Sequence, residues 1–185
     1  MLSNDERREL LLLARGAIAH ALAIGSEPDP PRLLDPARRA GAFVSVHLHG
    51  DLRGCIGHLG TARPLAEVVR ECAVAAATGD PRFPPLRPDE LADARLEISV
   101  LGPIEPVSDV TAIEIGRHGL IVEQGFRRGL LLPQVATEQH WGRETFLAHT
   151  CLKAGLKGDA WKSGARISRF EAEVFGEEPA SLPAA

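Results

Sequence analysis

Leu52-Arg53-Gly54-Cys55-Ile56-Gly57 places one thiol between two glycines and two positions after an arginine. In an extended segment side chains alternate, so Arg53 and Cys55 point one way while Leu52 and Ile56 point the other. A guanidinium beside a thiol favours the thiolate, the form that attacks electrophiles or binds metals. Two readings of Cys55 stand side by side: a reactive or ligand-contacting thiol, and a small apolar side chain packed where glycines leave room. Asp80 and Arg82 lie in a stretch stiffened by Pro81, Pro84 and Pro85, suited to anchoring a substrate or to pairing with each other. His118, close to Gly116 and Gly119, is a candidate proton carrier. Gln134, Glu138 and Trp141 follow Pro133 at the end of an expected hairpin, where Glu138 could act as base or orienter. Cys55 and His58 have ligand-like spacing, but no HExxH or paired CxxC accompanies them, and no metal is expected.

Regular elements must position these groups. Ser3 and Glu6 form a capping box ahead of Leu10, Leu13, Ala14, Ala17 and Ile18 at helical spacing, up to Gly25. Val44, Val46 and Leu48 alternate with Ser45 and His47, and His49-Gly50-Asp51 turns the chain toward Cys55. A three-residue loop pairs Leu48 with Leu52 and Val46 with Gly54, burying Val44, Val46, Leu48, Leu52 and Ile56 together. Gly54 and Gly57 then suggest the close approach of another backbone or a ligand. A second helix starts at Thr61 or Arg63, buries Leu65, Val68, Val69, Cys72 and Ala76, and stops at Gly79. Leu96 to Val100 reads as a strand, Ala112 to Ile115 as a short strand or turn, and Leu120 to Leu132 as a hairpin around Gln124-Gly125. A third helix covers Arg143 to Ala154, with Cys151 inward, and a last strand holds Phe170, Ala172 and Val174. Helices alternating with antiparallel hairpins indicate an α+β fold.

The 185 residues carry 21 basic and 25 acidic side chains, a formal charge of −4, which argues against a dedicated nucleic-acid binder. Three unpaired cysteines fit a reducing cytoplasm better than a disulfide framework. The first residues do not read as a secretory signal, and no apolar run reaches the roughly 20 residues a membrane span needs.

The blocks from Leu52 to Gly57, Asp80 to Phe83, Leu96 to Leu101, His118 to Leu120, Leu131 to Ala136, Trp141 and Cys151 to Leu156 together resemble the AMMECR domain family. The resemblance implies a compact α+β protein, mainly antiparallel sheet packed by helices, with a main lobe and a smaller second lobe; the expected domain covers 1–176, and the last residues, 177–185, read as a flexible tail. It places the RGCIG motif at a cleft. Carried over residue by residue, it nominates Arg53, Gly54, Cys55, Asp80, Arg82, His118, Gln134 and Glu138, of which the residue chemistry makes Cys55, His118 and Glu138 the catalytic candidates and Arg53, Gly54, Asp80, Arg82 and Gln134 the substrate-binding ones. Bacterial and archaeal members resemble protein A of the AmmeMemoRadiSam system, which implies a MEMO-type protein and a radical SAM protein as partners. Neither reaction nor cofactor follows. Three expectations result: an enzyme or enzyme component using Cys55, a noncatalytic module for a small anionic ligand or partner protein, and an RNA-associated role. His58 and Gly142 depart from the usual family pattern.

Overall fold

The computed structural model describes residues 1–59 and 62–177, so Thr61 and the tail from 178 lie outside the described residues. The chain divides into two compact units, Met1–Val100 with the segment from Glu173 onward, and Leu101–Ala172. Helices and antiparallel strands occur in both, and the α+β class holds.

In the first unit, Ser3 opens helix α1 (Asn4–Ala21): its hydroxyl accepts from the Glu6 N–H at 3.2 Å, and the Glu6 carboxylate accepts from the Ser3 N–H at 2.7 Å. The helix stops short of Gly25, because Ala23 takes a left-handed backbone with φ of 58°. Its buried stripe, Leu10, Leu13, Ala14 and Ile18, meets Leu65, Val69, Cys72 and Ala76 of α2 (Leu65–Thr78) in one core. The other side of α2 packs on the hairpin of β1 (Ala42–Leu48) and β2 (Asp51–His58). β1 is central between β2 and β3 (Ala94–Leu101), leaving β2 at the edge.

The hairpin corrects one expectation. Its loop has two residues, His49 and Gly50, with φ of 54° and 92°, and Leu48 faces Asp51 rather than Leu52. A bulge beside Val46 and His47 absorbs Arg53, after which Val46 faces Gly54, Ser45 faces Cys55 and Val44 faces Ile56, as the apolar pattern requires. Leu52, on the turn side of the bulge, is exposed instead of buried. Gly54 lies under α2, where a Cβ would come within 1.9 Å of the Ala76 carbonyl oxygen. The glycine is there for the close approach of another backbone.

Glu177 does not begin a loose tail. Its carboxylate accepts from Arg15 Nε at 2.6 Å and from the Leu96 N–H at 2.9 Å, while Arg15 also donates to the Leu91 and Ala94 carbonyls at 2.9 and 2.8 Å.

In the second unit, β4 (Glu105–Pro106) and β5 (His118–Gln124) both pair with β7 (Arg166–Gly176), and β5 also pairs with β6 (Arg127–Leu131). Residues 112–115 contribute no strand; a single turn of 3₁₀-helix spans Val110–Ala112. After β6, Pro133 opens an unanticipated helix, α3 (Pro133–Glu138), at a first-turn position where its missing N–H removes no bond. Helix α4 (Arg143–Lys153) buries Phe146, Leu147 and Cys151 against Leu120, Val122 and Ile167.

Replacing Gly54 by Ala drives a methyl group into the α2 backbone, which has no flexible end to yield. The expected outcome is a loss of about 3 kcal/mol in urea unfolding, the upper part of the overpacking range. A variant as stable as the parent would contradict the close approach.

Candidate functional site

The RGCIG strand is braced by the loop that leaves α2. Gly79 caps that helix, and the next residue, Asp80, is 5% exposed. Its Oδ2 accepts the outward Cys55 N–H at 2.9 Å, satisfying an edge-strand donor. Asp80 Oδ1 accepts from the Arg82 N–H at 3.1 Å and from Arg82 Nε at 3.0 Å, and Oδ2 accepts from Arg82 Nη2 at 2.6 Å. Nη2 also donates to the Cys55 carbonyl at 3.2 Å. The result is a closed circuit, Cys55 N–H to Asp80 to Arg82 to Cys55 C=O. Arg82 beside Asp80 holds that carboxyl well below the usual carboxylate range, with the two backbone N–H donors helping.

Arg53 takes a different course. Its Nη1 donates to the Pro84 carbonyl, Nη2 reaches the Pro85 carbonyl at 3.4 Å, and Nη2 lies 3.6 Å from Glu90. The expectation that Arg53 poises the thiol is corrected. Burial pushes the Cys55 thiol up from its ordinary value, outweighing the Ser45 hydroxyl and the charge of Arg82, which act the other way. The neighbour on the next turn of chain mattered less than one 27 positions along. Cys72 and Cys151 are buried packing residues, the former pushed up to about 11 by burial.

The structure gathers Arg53, Gly54, Cys55, Asp80 and Arg82 within the first unit, whereas His118, Gln134 and Glu138 belong to the second. There His118 is buried, and its Nδ1 accepts from the Glu114 N–H at 2.9 Å. The bond makes Nδ1 an acceptor, so the neutral ring carries its proton on Nε2. Burial also moves the imidazole below the ordinary histidine range. Its hydrogen-bond partner is the Glu114 backbone, not Glu138, which ends α3 on the surface. Gln134 sits half-buried in the first turn of α3, and Trp141 stacks on His149 with ring centroids 3.9 Å apart. Around His118 the sequence reading missed Arg169 and Glu171. Their signal is the i, i+2 spacing on β7 with Phe170 between them, which places two opposite charges on one strand face.

Among the described residues no group of three or more His, Cys, Asp or Glu gathers as a metal site, and His58 faces Glu71 at 3.3 Å. No helix among them is long and apolar enough to cross a membrane.

Comparison with known proteins agrees with this architecture. The AMMECR1 family model matches residues 11–175. A protein of Methanothermobacter thermautotrophicus is 48% identical over 96% of this chain and 97% of its own length. One from Methanopyrus kandleri is 47% identical over 98% of this chain and 93% of its own. The crystal structure of the uncharacterized protein PH0010 from Pyrococcus horikoshii superposes with a TM-score of 0.86 at 41% identity, covering 94% of this chain and 92% of that one.

Two measurements check the thiol and its brace. Site-resolved alkylation of the native protein should give a rate for Cys55 that is still rising at about pH 9, with no plateau reached; a midpoint below about pH 8 would mean an activated thiolate. Asp80 has a depressed folded-state pKa, so its contribution to stability is present above its ordinary 3.8 and is lost as pH falls toward the folded value. Between about pH 6 and about pH 3 the parent should therefore lose more unfolding free energy than Asp80→Asn. Equal acid losses in the two proteins would remove the carboxylate from this role.

Proposed function

We propose a noncatalytic recognition role for this chain, which belongs to the AMMECR1 family. The braced RGCIG strand offers the guanidinium of Arg82 to a carboxylate on a partner protein. The observation that carries the reading is the state of Arg82. Nε and Nη2 are fixed by Asp80 and Cys55, its charge centre lies 5.3 Å from the Phe83 ring centroid, and the side chain is still 51% exposed. Its Nη1 has no partner among the described residues. A donor fork held in place before binding loses little conformational freedom on meeting a carboxylate.

The alternative, an enzyme or enzyme component in which Cys55 is the nucleophile, needs a thiolate, and burial favours the neutral thiol. A neutral, half-buried Cys55 suits the wall of a binding surface. The partners we propose are those the AmmeMemoRadiSam resemblance implies, a MEMO-type protein and a radical SAM protein.

Isothermal titration of the full chain against the MEMO-type and radical SAM proteins encoded in the same genome tests the reading. Binding to at least one is expected, weakened by about tenfold or more in Arg82→Gln, or about 1.4 kcal/mol, and changed by less than about threefold in Cys55→Ala. Circular dichroism and urea unfolding establish that both variants are folded. Absence of binding to either protein, or an Arg82→Gln variant that binds like the parent, ends the proposal. Loss of binding in a folded Cys55→Ala would return the thiol to the centre of the site.

A further inference from the structure

The sheet face that carries the core of the second unit changes character along its length. Across β5 and β7, Val122 pairs with Ile167, both buried and apolar; then Leu120 pairs with Arg169 and His118 with Glu171. Because facing residues in an antiparallel pair share a side of the sheet, the apolar stripe gives way to a charged one. At that end lies a cavity of about 430 Å³, lined by His118, Arg117, Arg169, Glu105, Glu114 and Glu171 among others. The volume falls toward the small end of the range for ligand pockets, about 300–1,000 Å³.

His118 is the unusual member of this wall. It is 4% exposed, its Nδ1 is taken by the Glu114 N–H, and its own N–H donates to the Glu114 carbonyl at 3.0 Å. The ring is clamped in the tautomer that leaves Nε2–H as donor, and no hydrogen bond from Nε2 occurs among the described residues. With its protein bonds confined to Nδ1 and the backbone, His118 leaves Nε2–H to the cavity it lines, where an acceptor on a ligand can take it. The charges around it are ordered in pairs. Arg117 joins Glu171 at 2.8 Å and Glu114 at 3.3 Å, while Arg169 joins Glu105 at 3.2 Å and donates to the Ala112 carbonyl at 2.7 Å.

We propose that this cavity binds a small zwitterion of the free α-amino acid class, its carboxylate received by His118 Nε2–H and the guanidinium of Arg117 or Arg169, its ammonium by the flanking glutamates. A simple anion would meet three carboxylates, and a simple cation would leave the imidazole donor unanswered beside two guanidinium groups. A dipolar ligand satisfies both signs. The site lies wholly in the second unit, so it stands or falls independently of the recognition role of Arg82.

The test is NMR on the wild-type full chain. The 20 free amino acids serve as probes in saturation-transfer experiments, with the His118 imidazole resonances followed by long-range nitrogen correlation. At least one amino acid is expected to transfer saturation and to shift the His118 Nε2 resonance, with a dissociation constant at or below about 10 mM. The N-acetyl derivative and the methyl ester of that amino acid, each lacking one charge, should bind about tenfold more weakly or worse. His118→Phe should show the same loss, and Arg82→Gln none. The proposal is overturned if no amino acid shifts the His118 resonance, or if the acetylated derivative binds as well as its parent. Should His118→Phe fail to fold, the wild-type shift and the two derivatives decide the matter alone.

Discussion

The Cys55 N–H, pointing outward from an edge strand, has to be satisfied, and the way Asp80 satisfies it organises the first unit around the RGCIG motif. An open edge donor invites pairing with another chain. The remedy depends on α2 arriving at the right height. Because Gly54 has no side chain, α2 settles onto β2 with the Ala76 carbonyl almost touching it, and three residues after Ala76 the helix ends at Gly79. Asp80 therefore emerges beside the strand two positions from its own arginine partner. Packing at a glycine, a helix end and an ion pair are successive consequences of one close approach.

How much of this was readable beforehand depends on the range of the interaction. The Ser3–Glu6 cap and the apolar faces of α1, α2 and α4 are local patterns, and the structure reproduces them. The hairpin shows where local pattern becomes ambiguous. Alternation correctly placed Ser45 opposite Cys55, yet a three-residue loop and a two-residue loop followed by a bulge satisfy it equally from Gly54 on. Only the left-handed pair His49 and Gly50 separates them, and histidine is not a strong signal for that conformation. Helix α3 escaped notice because six residues starting at a proline are too few to display a period.

Sequence proximity misled most at the thiol. Arg53 lies two positions from Cys55, and strand alternation assigns both to one face; the bulge removes Arg53 from that alternation and turns it toward Pro84, Pro85 and Glu90. The guanidinium that does approach Cys55 comes from Arg82, through a loop whose prolines announced rigidity but not direction. Asp80 and Arg82 had two readings in the sequence, a substrate anchor and a mutual pair. Pairing with each other, the simpler of their two readings, is what the structure contains, and it is compatible with recognition because the pair consumes only part of the guanidinium.

That division of the Arg82 donors bears on why a thiol would be kept at a site without needing its reactivity. Arg82 is engaged by the Asp80 carboxylate and the Cys55 carbonyl, and its pull toward the thiolate is outweighed by burial. Asp80 itself raises the barrier, because its charge near the sulfur opposes ionisation along with burial. The circuit thus stabilises the strand backbone, while burial favours the neutral thiol. A nucleophile would be served by the opposite arrangement, a free cation and an open sulfur. Burial, with a smaller contribution from the carboxylate that closes the strand edge, favours the protonated Cys55, and the recognition role we propose asks for no thiolate.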